Sequence, residues 1–133
     1  MKNKRTLQAL RKAADSIYSL YIRERDCGIC VTCLKGDEIK KMQCGHFHSR
    51  IYHALRYHEM NGHCQCYKCN VLLRGKMLAY TAFMNRKYTP EELAELKKLT
   101  YKTDVTLREL FEWAIAYYTE KLKQLKLKNL VGN

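Results

Sequence analysis

Apolar residues recur at three- and four-residue steps near the start of the chain, and this period predicts an amphipathic helix over residues 4–25. The predicted apolar face consists of Leu7, Leu10, Ala14, Ile17 and Tyr21. The helical pattern ends near Asp26, where a run of cysteine and glycine begins.

Between residues 27 and 70 no helical period is sustained. This stretch holds all seven cysteines and all five histidines of the chain. Such a composition is typical of a loop-rich segment that a metal ion organises. The best strand candidate within it is Glu38–Cys44.

Helical periodicity returns after the last cysteine. We predict one helix over residues 71–87 and a second that starts at residues 89–92, where threonine, proline and glutamate form a capping signal. A third, long helix opens at Thr106–Glu109 with the same signal. Its apolar stripe is Leu107, Leu110, Phe111, Ala114, Ile115, Tyr118, Leu122 and Leu125. This stripe could pack within its own domain or form the seam of a homodimer.

Composition and charge narrow the class of protein. A chain of 133 residues with a net charge of +12 has the size of one domain and the electrostatic sign that suits nucleic acid. No run of apolar residues is long enough for a membrane span, and the basic N-terminus does not lead into a secretory h-region. The sequence therefore predicts a cytoplasmic, DNA-binding protein with no membrane partner.

The cysteines are spaced as metal ligands. Cys30 and Cys33 form one CxxC pair, and Cys66 and Cys69 form another, which together can close a tetrahedral site of four thiolates. Zinc is the expected structural ion, although iron shares this geometry. Cys27 is also two residues from Cys30, so the first pair could instead be 27 and 30. Cys44 and Cys64 remain, and we interpret them as small buried apolar residues.

Polar residues between the two cysteine pairs indicate a nuclease. His46 ends the first predicted strand, Asn61 lies on the second, and Asn70 directly follows Cys69, which is the residue order of an HNH site. Hydrolysis of a phosphodiester needs a base, for which a neutral imidazole is suited, and a divalent cation. We assign His46 as the base, Asn61 as the residue that orients its loop, and Asn70 as a ligand of Mg²⁺ or Mn²⁺.

These motifs resemble the NinG/Rap family of bacteriophage recombination proteins. The likeness covers about residues 17–90. It is carried by Tyr21–Asp26, Cys30-x2-Cys33, Gln43-x-Gly45-His46-Phe47, Leu55–Tyr57, Asn61-x-His63-x2-Cys66-x2-Cys69-Asn70 and Gly75. The resemblance, which extends to endonuclease VII-like junction nucleases, implies an enzyme that cleaves branched recombination intermediates such as Holliday junctions and D-loops. It also implies that His46 is the general base and Asn70 a metal ligand.

The second ligand of the catalytic ion departs from the expected pattern. Sites of this kind commonly carry an aspartate one or three residues before the histidine, where this chain has Gly45 and Gln43. Gln43 and His63 are the remaining candidate ligands. Basic residues around the site, which would position phosphates, are Arg50, Arg56 and Arg74; a structural ion pair is the alternative role for each.

The sequence thus predicts an α+β, mainly helical fold: a zinc-stapled ββα-metal (HNH-type) core with an N-terminal helix and C-terminal helices. Within a single domain, we assign residues 1–26 to the first helix, 27–87 to the nuclease core and 88–133 to the last helices. The predicted compartment is the host bacterial cytoplasm if the chain is phage-encoded. Two other functions stay open: an HNH nuclease acting on ordinary duplex, and a non-catalytic zinc-dependent recombination mediator.

Overall fold

The N-terminal helix α1 spans Leu7–Arg25 in a computed structural model that describes residues 4–131 of the chain. It begins at Thr6, whose hydroxyl accepts a hydrogen bond from the backbone N–H of Ala9 at 3.1 Å. Such a cap satisfies one of the free donors at a helix start. The predicted helix is confirmed, three residues shorter at its N-terminus.

The C-terminal helix α5 spans Leu107–Val131 and packs along α1. The core between them is rich in tyrosine and is formed by Leu10, Ala14, Tyr18, Tyr21, Ile22, Tyr57, Phe111, Ala114, Tyr118 and Leu122. The remaining members of the predicted stripe, including Leu107 and Ile115, pack against its edge. Because this stripe is covered by α1 of the same chain, it is not available as the seam of a homodimer.

Along the chain, two short antiparallel strands come between α1 and α5. Strand β1 spans Gln43–His46 and strand β2 spans Gly62–Gln65, with Cys44 opposite Cys64 and His46 opposite Gly62. The predicted strand at Glu38–Cys44 was wrong in its bounds, because Ile39–Lys41 forms a 3-10 turn and pairing starts only at Gln43.

Glycine is required on both strands for close packing. A β-carbon at Gly45 would lie 1.8 Å from Oε1 of Gln65, and one at Gly62 would lie 2.2 Å from the hydroxyl of Tyr18. Both distances are far below contact range, so a side chain at either position would displace its neighbour. The aspartate expected immediately before the histidine therefore has no room at position 45.

The predicted helix over residues 71–87 is two elements. A π-helical turn spans Lys68–Leu72, and helix α3 spans Met77–Lys87. The chain between them takes the left-handed backbone conformation at three consecutive residues, Arg74, Gly75 and Lys76. An α-helix cannot continue through such a segment, which apolar periodicity alone does not reveal.

The other helices enclose one side of the sheet. Helix α2 spans His53–Arg56, and α4 spans Pro90–Lys98 with the predicted capping box of Thr89 and Glu92. A 3-10 turn, Leu99–Tyr101, follows α4. The core on this side is formed by Leu55, Tyr80, Met84 and Leu96.

The class predicted from the sequence, α+β and mainly helical, is confirmed. Among residues 4–131, no helix is both long and apolar enough to cross a membrane.

Candidate functional site

Four cysteines from the two predicted pairs meet at one point. The sulfur atoms of Cys30, Cys33, Cys66 and Cys69 all lie within 4.8 Å of one another, and those of Cys33 and Cys66 are 3.8 Å apart. Four thiolates around a zinc ion at about 2.3 Å would be separated by about 3.8 Å. The predicted grouping is confirmed, and the cluster can hold one structural metal ion.

The backbone around the cluster positions both pairs. In the first pair, the N–H of Leu34 donates to the carbonyl of Cys30 at 2.8 Å, and the N–H of Val31 donates to the carbonyl of Cys64 at 2.9 Å. The second bond joins the first cysteine pair directly to strand β2. The second pair flanks the start of the π-helical turn, so one metal ion would tie two separate stretches of chain together, the loop after α1 and the segment that follows β2.

The other three cysteines lie outside this cluster. Cys27 is exposed and is not a member of the group, so the alternative pairing of 27 with 30 is excluded. Cys64 is buried beside Met42, as predicted for a small apolar residue, and Cys44 packs against the core between α1 and α5.

A cavity beside the cluster brings together the main predicted catalytic residues. His46 at the end of β1, Gln43 at its start and Asn70 on the π-helical turn all line it, with Asp15 and Arg50 at the same cavity. The remaining lining residues are Ser16, Tyr18, Ser19, Arg23, Lys40, Met42, Cys44, Ser49 and Val71.

The hydrogen bonding of His46 determines which ring nitrogen can act as a base. Its Nε2 lies 2.9 Å from the carbonyl oxygen of Arg56. A carbonyl can only accept, so Nε2 carries the proton and Nδ1 is the unprotonated nitrogen. Burial lowers the pKa of His46 below its ordinary value of 6.5, and the charges of Arg50 and Arg56 lower it further against the opposing effect of the Arg56 carbonyl. The imidazole is therefore neutral at pH 7.

Asn61 fastens the loop that follows His46. Its Oδ1 accepts from the backbone N–H of His48 at 2.8 Å, and its Nδ2 donates to the carbonyls of His48 and Leu55 at 2.9 and 3.1 Å. The side chain is fully buried. The predicted contact between Asn61 and this loop is present, and its contribution to catalysis stays a prediction.

Asn70 and Gln43 form a pair at the cavity. Nδ2 of Asn70 donates to Oε1 of Gln43 at 2.8 Å. This bond directs the amide group of Asn70 so that its Oδ1 remains without a hydrogen-bond donor among the described residues. The two predicted ligands are thus brought together, and both offer neutral oxygen atoms.

Asp15 is a functional candidate that the sequence analysis missed. Its carboxylate accepts from Nε and Nη2 of Arg56 at 2.9 and 2.7 Å and from the hydroxyl of Tyr57 at 2.7 Å. Burial alone would raise the pKa of Asp15, but these bonds and the charges of Arg56 and Arg50 outweigh it and lower the pKa. Since the carbonyl of Arg56 lies within hydrogen-bond distance of His46, Asp15 is connected to His46 through Arg56.

The contacts of Asp15 correct the role predicted for Arg56. Its guanidinium is committed to a two-point ion pair and is largely buried, so it is a structural partner rather than a phosphate ligand. The sequence signal was weak: Asp15 is the only acidic residue before Glu24, and its partner is 41 positions away.

The other two predicted arginines differ from Arg56. Arg50 is exposed at the cavity, and its guanidinium forms no hydrogen bond or ion pair within residues 4–131. It is free to contact a phosphate. Arg74 is exposed on the left-handed segment and does not line the His46 cavity.

His63 is not at the cavity, contrary to the prediction that it could bind the catalytic ion or a phosphate. It is fully buried on the opposite face of the sheet, where Nδ1 lies 3.0 Å from the hydroxyl of Tyr80 and Nε2 lies 2.8 Å from that of Tyr88. Both ring nitrogens are occupied, so neither can coordinate an ion. Burial lowers the pKa of His63 to about 3, and the charges of Arg25 and Lys87 add to this effect.

We expect His63 to make the fold sensitive to acid. The unfolded chain protonates this ring below pH 6.5 and the folded chain does not, so stability falls as the pH drops from 6.5 towards 3. The slope for one proton is about 1.4 kcal/mol per pH unit. Urea unfolding of the wild type and His63→Gln between pH 7 and pH 4 measures it. The difference between the two proteins in the slope of unfolding free energy against pH gives the contribution of His63 apart from that of the cysteines. Equal slopes would contradict the assignment.

Comparison with known proteins found one matching protein family. The model of the family described as "NinG: Bacteriophage Lambda NinG protein" matches residues 1–128. Neither the curated proteins nor the solved structures gave a match. The match extends beyond the metal-binding centre and includes α1 and nearly all of α5, so the two helices that form the largest core are part of what the family shares.

Proposed function

The chain belongs to the bacteriophage lambda NinG family, and from this premise we propose that it is a metal-dependent DNA endonuclease of branched recombination intermediates. Holliday junctions and D-loops are the substrates that we propose. The observation that carries the proposal is the state of His46: a neutral imidazole with Nε2 committed to a carbonyl and Nδ1 unprotonated, in a cavity shared with Asn70 and Arg50.

The order of elements supports a ββα-metal interpretation of this site. Strand β1 ends at His46, β2 pairs with it, and the π-helical turn that carries Asn70 follows three residues after β2. In this interpretation the four-cysteine cluster holds a structural zinc that fixes the turn relative to the strands.

The residues at and behind the cavity that we assign to the reaction each have a proposed task. His46 accepts the proton of the attacking water at Nδ1. Asn61, together with Asp15 acting through Arg56, holds the imidazole in place, and Arg50 binds a substrate phosphate. These contacts depend on phosphate position and not on base identity, which suits recognition of branch shape.

The donor set determines how a catalytic cation would be held. Asn70 and Gln43 supply oxygen atoms, which Mg²⁺ and Mn²⁺ prefer. Among residues 4–131, the only carboxylate that lines the cavity is that of Asp15, and it is occupied by Arg56 and Tyr57. The residues fit a cation that is bound jointly with substrate phosphates and more weakly than at a carboxylate site. When bound, it would stabilise negative charge on the phosphate and on the leaving oxygen.

Cleavage assays test this function directly. Purified protein is incubated with a synthetic four-way junction and with linear duplex of the same total sequence, each with Mg²⁺, with Mn²⁺ and with no added divalent ion. Metal-dependent cutting of the junction alone is the expected result. Equal cutting of linear duplex would instead identify an ordinary HNH nuclease, and tight junction binding without any cutting would identify a recombination mediator.

We expect Arg50→Ala to weaken junction binding about tenfold. Loss of one phosphate contact should also reduce the slope of log Kd against log salt concentration by about one. Fluorescence anisotropy at several salt concentrations measures both quantities. Arg86→Ala, which removes an exposed arginine of α3 that does not line the cavity, is the matched control for binding. A salt slope that Arg50→Ala leaves unchanged would contradict the phosphate contact.

A further inference from the structure

The segment 67–78 presents large apolar side chains to solvent immediately beside the cavity. All six are more than two-fifths exposed, and Leu72 and Leu78 reach 62% and 92%. The six residues are Tyr67, Val71, Leu72, Leu73, Met77 and Leu78. A group of exposed apolar side chains of this kind within one short segment is typical of an interaction surface.

The backbone holds this segment in place. The carbonyl of Gly75 accepts from Nε2 of the buried Gln65 at 2.9 Å, and the N–H of Gly75 donates to the carbonyl of Cys69 at 2.8 Å. Arg74 and Lys76 keep left-handed backbone conformations, which are unfavourable for residues other than glycine. The fold therefore holds this segment in a backbone conformation that is locally unfavourable.

The charges around the segment indicate which class of molecule it can bind. Residues 60–90 contain no aspartate or glutamate, and Lys68, Arg74 and Lys76 alternate with the apolar side chains. The pocket beside Lys68 and Lys76 is also lined by Lys35, Lys41 and one carboxylate, that of Asp37. Two copies of the chain meeting through this surface would therefore bring together more cations than acidic groups. A polyanion that also offers apolar faces satisfies both the cations and the apolar groups.

The segment is continuous with the cavity. Val71 lines the cavity of His46, and Asn70 precedes it directly. A nucleic acid bound in this cavity would contact Val71, and the rest of the segment extends from that point along the surface. In an unbroken duplex the faces of the bases are covered by stacking, and apolar side chains contact them only where a step is unstacked, as at a branch.

We infer that segment 67–78 binds unstacked bases at the branch point of DNA, with Lys68, Arg74 and Lys76 holding the adjacent phosphates. This inference rests on the proposed branched substrate, and it assigns the preference for branches to a defined surface. The apolar side chains supply contact with base faces in any sequence, so the preference is for shape.

Binding measurements without added divalent ion test the inference separately from cleavage. Leu72→Ser combined with Leu78→Ser removes the two most exposed leucines of the segment, and Leu78→Ser alone is the milder variant. The matched control is Leu127→Ser with Leu130→Ser, two leucines 55% and 79% exposed near the end of α5. A four-way junction with 2-aminopurine beside the branch point reports both affinity and unstacking.

We expect the wild type to raise the 2-aminopurine fluorescence. The double variant should lose that rise and bind the junction about tenfold more weakly, while its Kd for linear duplex changes by less than about twofold. The control should behave as the wild type. Unchanged junction affinity and fluorescence in the double variant would overturn the inference, and so would an equal loss for duplex and junction.

Two further measurements separate the remaining outcomes. Light scattering that finds a wild-type dimer and a monomeric double variant would identify the segment as a self-association surface and overturn the inference. A wild type that shows the expected binding and fluorescence but cuts no DNA would remove the proposed catalysis and leave the inference supported.

Discussion

Replacing His46 by alanine is expected to lower the rate of junction cleavage by a factor of about 10² to 10⁴, the usual contribution of a positioned general base. The variant removes the imidazole of His46, the one histidine among the described residues that line the cavity. Single-turnover cleavage of a four-way junction with saturating metal ion measures the chemical step without interference from product release.

Two comparisons make this result specific to His46. His53→Ala removes an exposed histidine that does not line the cavity, and it should cleave at the wild-type rate. Junction affinity should be nearly unchanged in His46→Ala because phosphate binding is assigned to other residues. A variant that retained the wild-type cleavage rate would show that the base is elsewhere.

The pH dependence of cleavage gives an independent test of the same residue. A general base works only when deprotonated, so the wild-type rate should fall as the pH drops through the pKa of His46. Burial and the nearby arginines place that pKa below 6.5, and the rate should therefore be level around pH 7 and decline only in more acidic buffer. The residual activity of His46→Ala should lack this decline.

The features that the sequence predicted correctly depend on short-range patterns. The apolar period of α1, the capping box at Thr89 and the two CxxC pairs each lie within a few residues of chain. The helix was wrongly continued through residues 74–76 because Arg74 and Lys76 carry no sequence signal for a left-handed conformation.

The features that were missed depend on contacts between distant residues. The sequence left Arg56 between a phosphate contact and an ion pair, because its partner, Asp15, is 41 positions away on α1. His63 was a candidate ligand of the catalytic ion, yet its ring lies between the hydroxyls of Tyr80 and Tyr88. These tyrosines come from elements that periodicity could not place relative to the sheet. When both faces of a strand are buried, the alternation of residues along it does not show which face borders the cavity. A polar residue on such a strand can therefore be assigned to the wrong face.

Loss of the metal at the four cysteines is expected to unfold the centre of the molecule. Structural zinc in small domains contributes an apparent free energy of about 10–16 kcal/mol at pH 7, comparable to the whole stability of a domain. The buried cluster around this site contains, besides three cysteine side chains, only Met42, so apolar burial cannot replace the metal. Cys69→Ser should therefore lose tightly bound zinc and lower the melting temperature sharply.

Cys27→Ser is the matched control, because Cys27 is exposed and lies outside the cluster. It should retain one zinc ion per chain and melt as the wild type does. Metal analysis by mass spectrometry together with thermal unfolding measures both properties. A Cys69→Ser protein that melts with the wild type, or a wild type with no bound zinc, would contradict a structural role for the ion.

Cys69→Ser and His46→Ala together separate a loss of folding from a loss of the chemical step. Asn70 follows Cys69 directly, and the turn that carries it is held by the second cysteine pair, so loss of zinc should abolish cleavage by dispersing the cavity. Circular dichroism should then show that much helix remains, because the core between α1 and α5 is built mainly from those two helices. His46→Ala should instead lose cleavage with its zinc content and melting temperature unchanged. Only a site in which one ion shapes the cavity and His46 acts within it predicts both results.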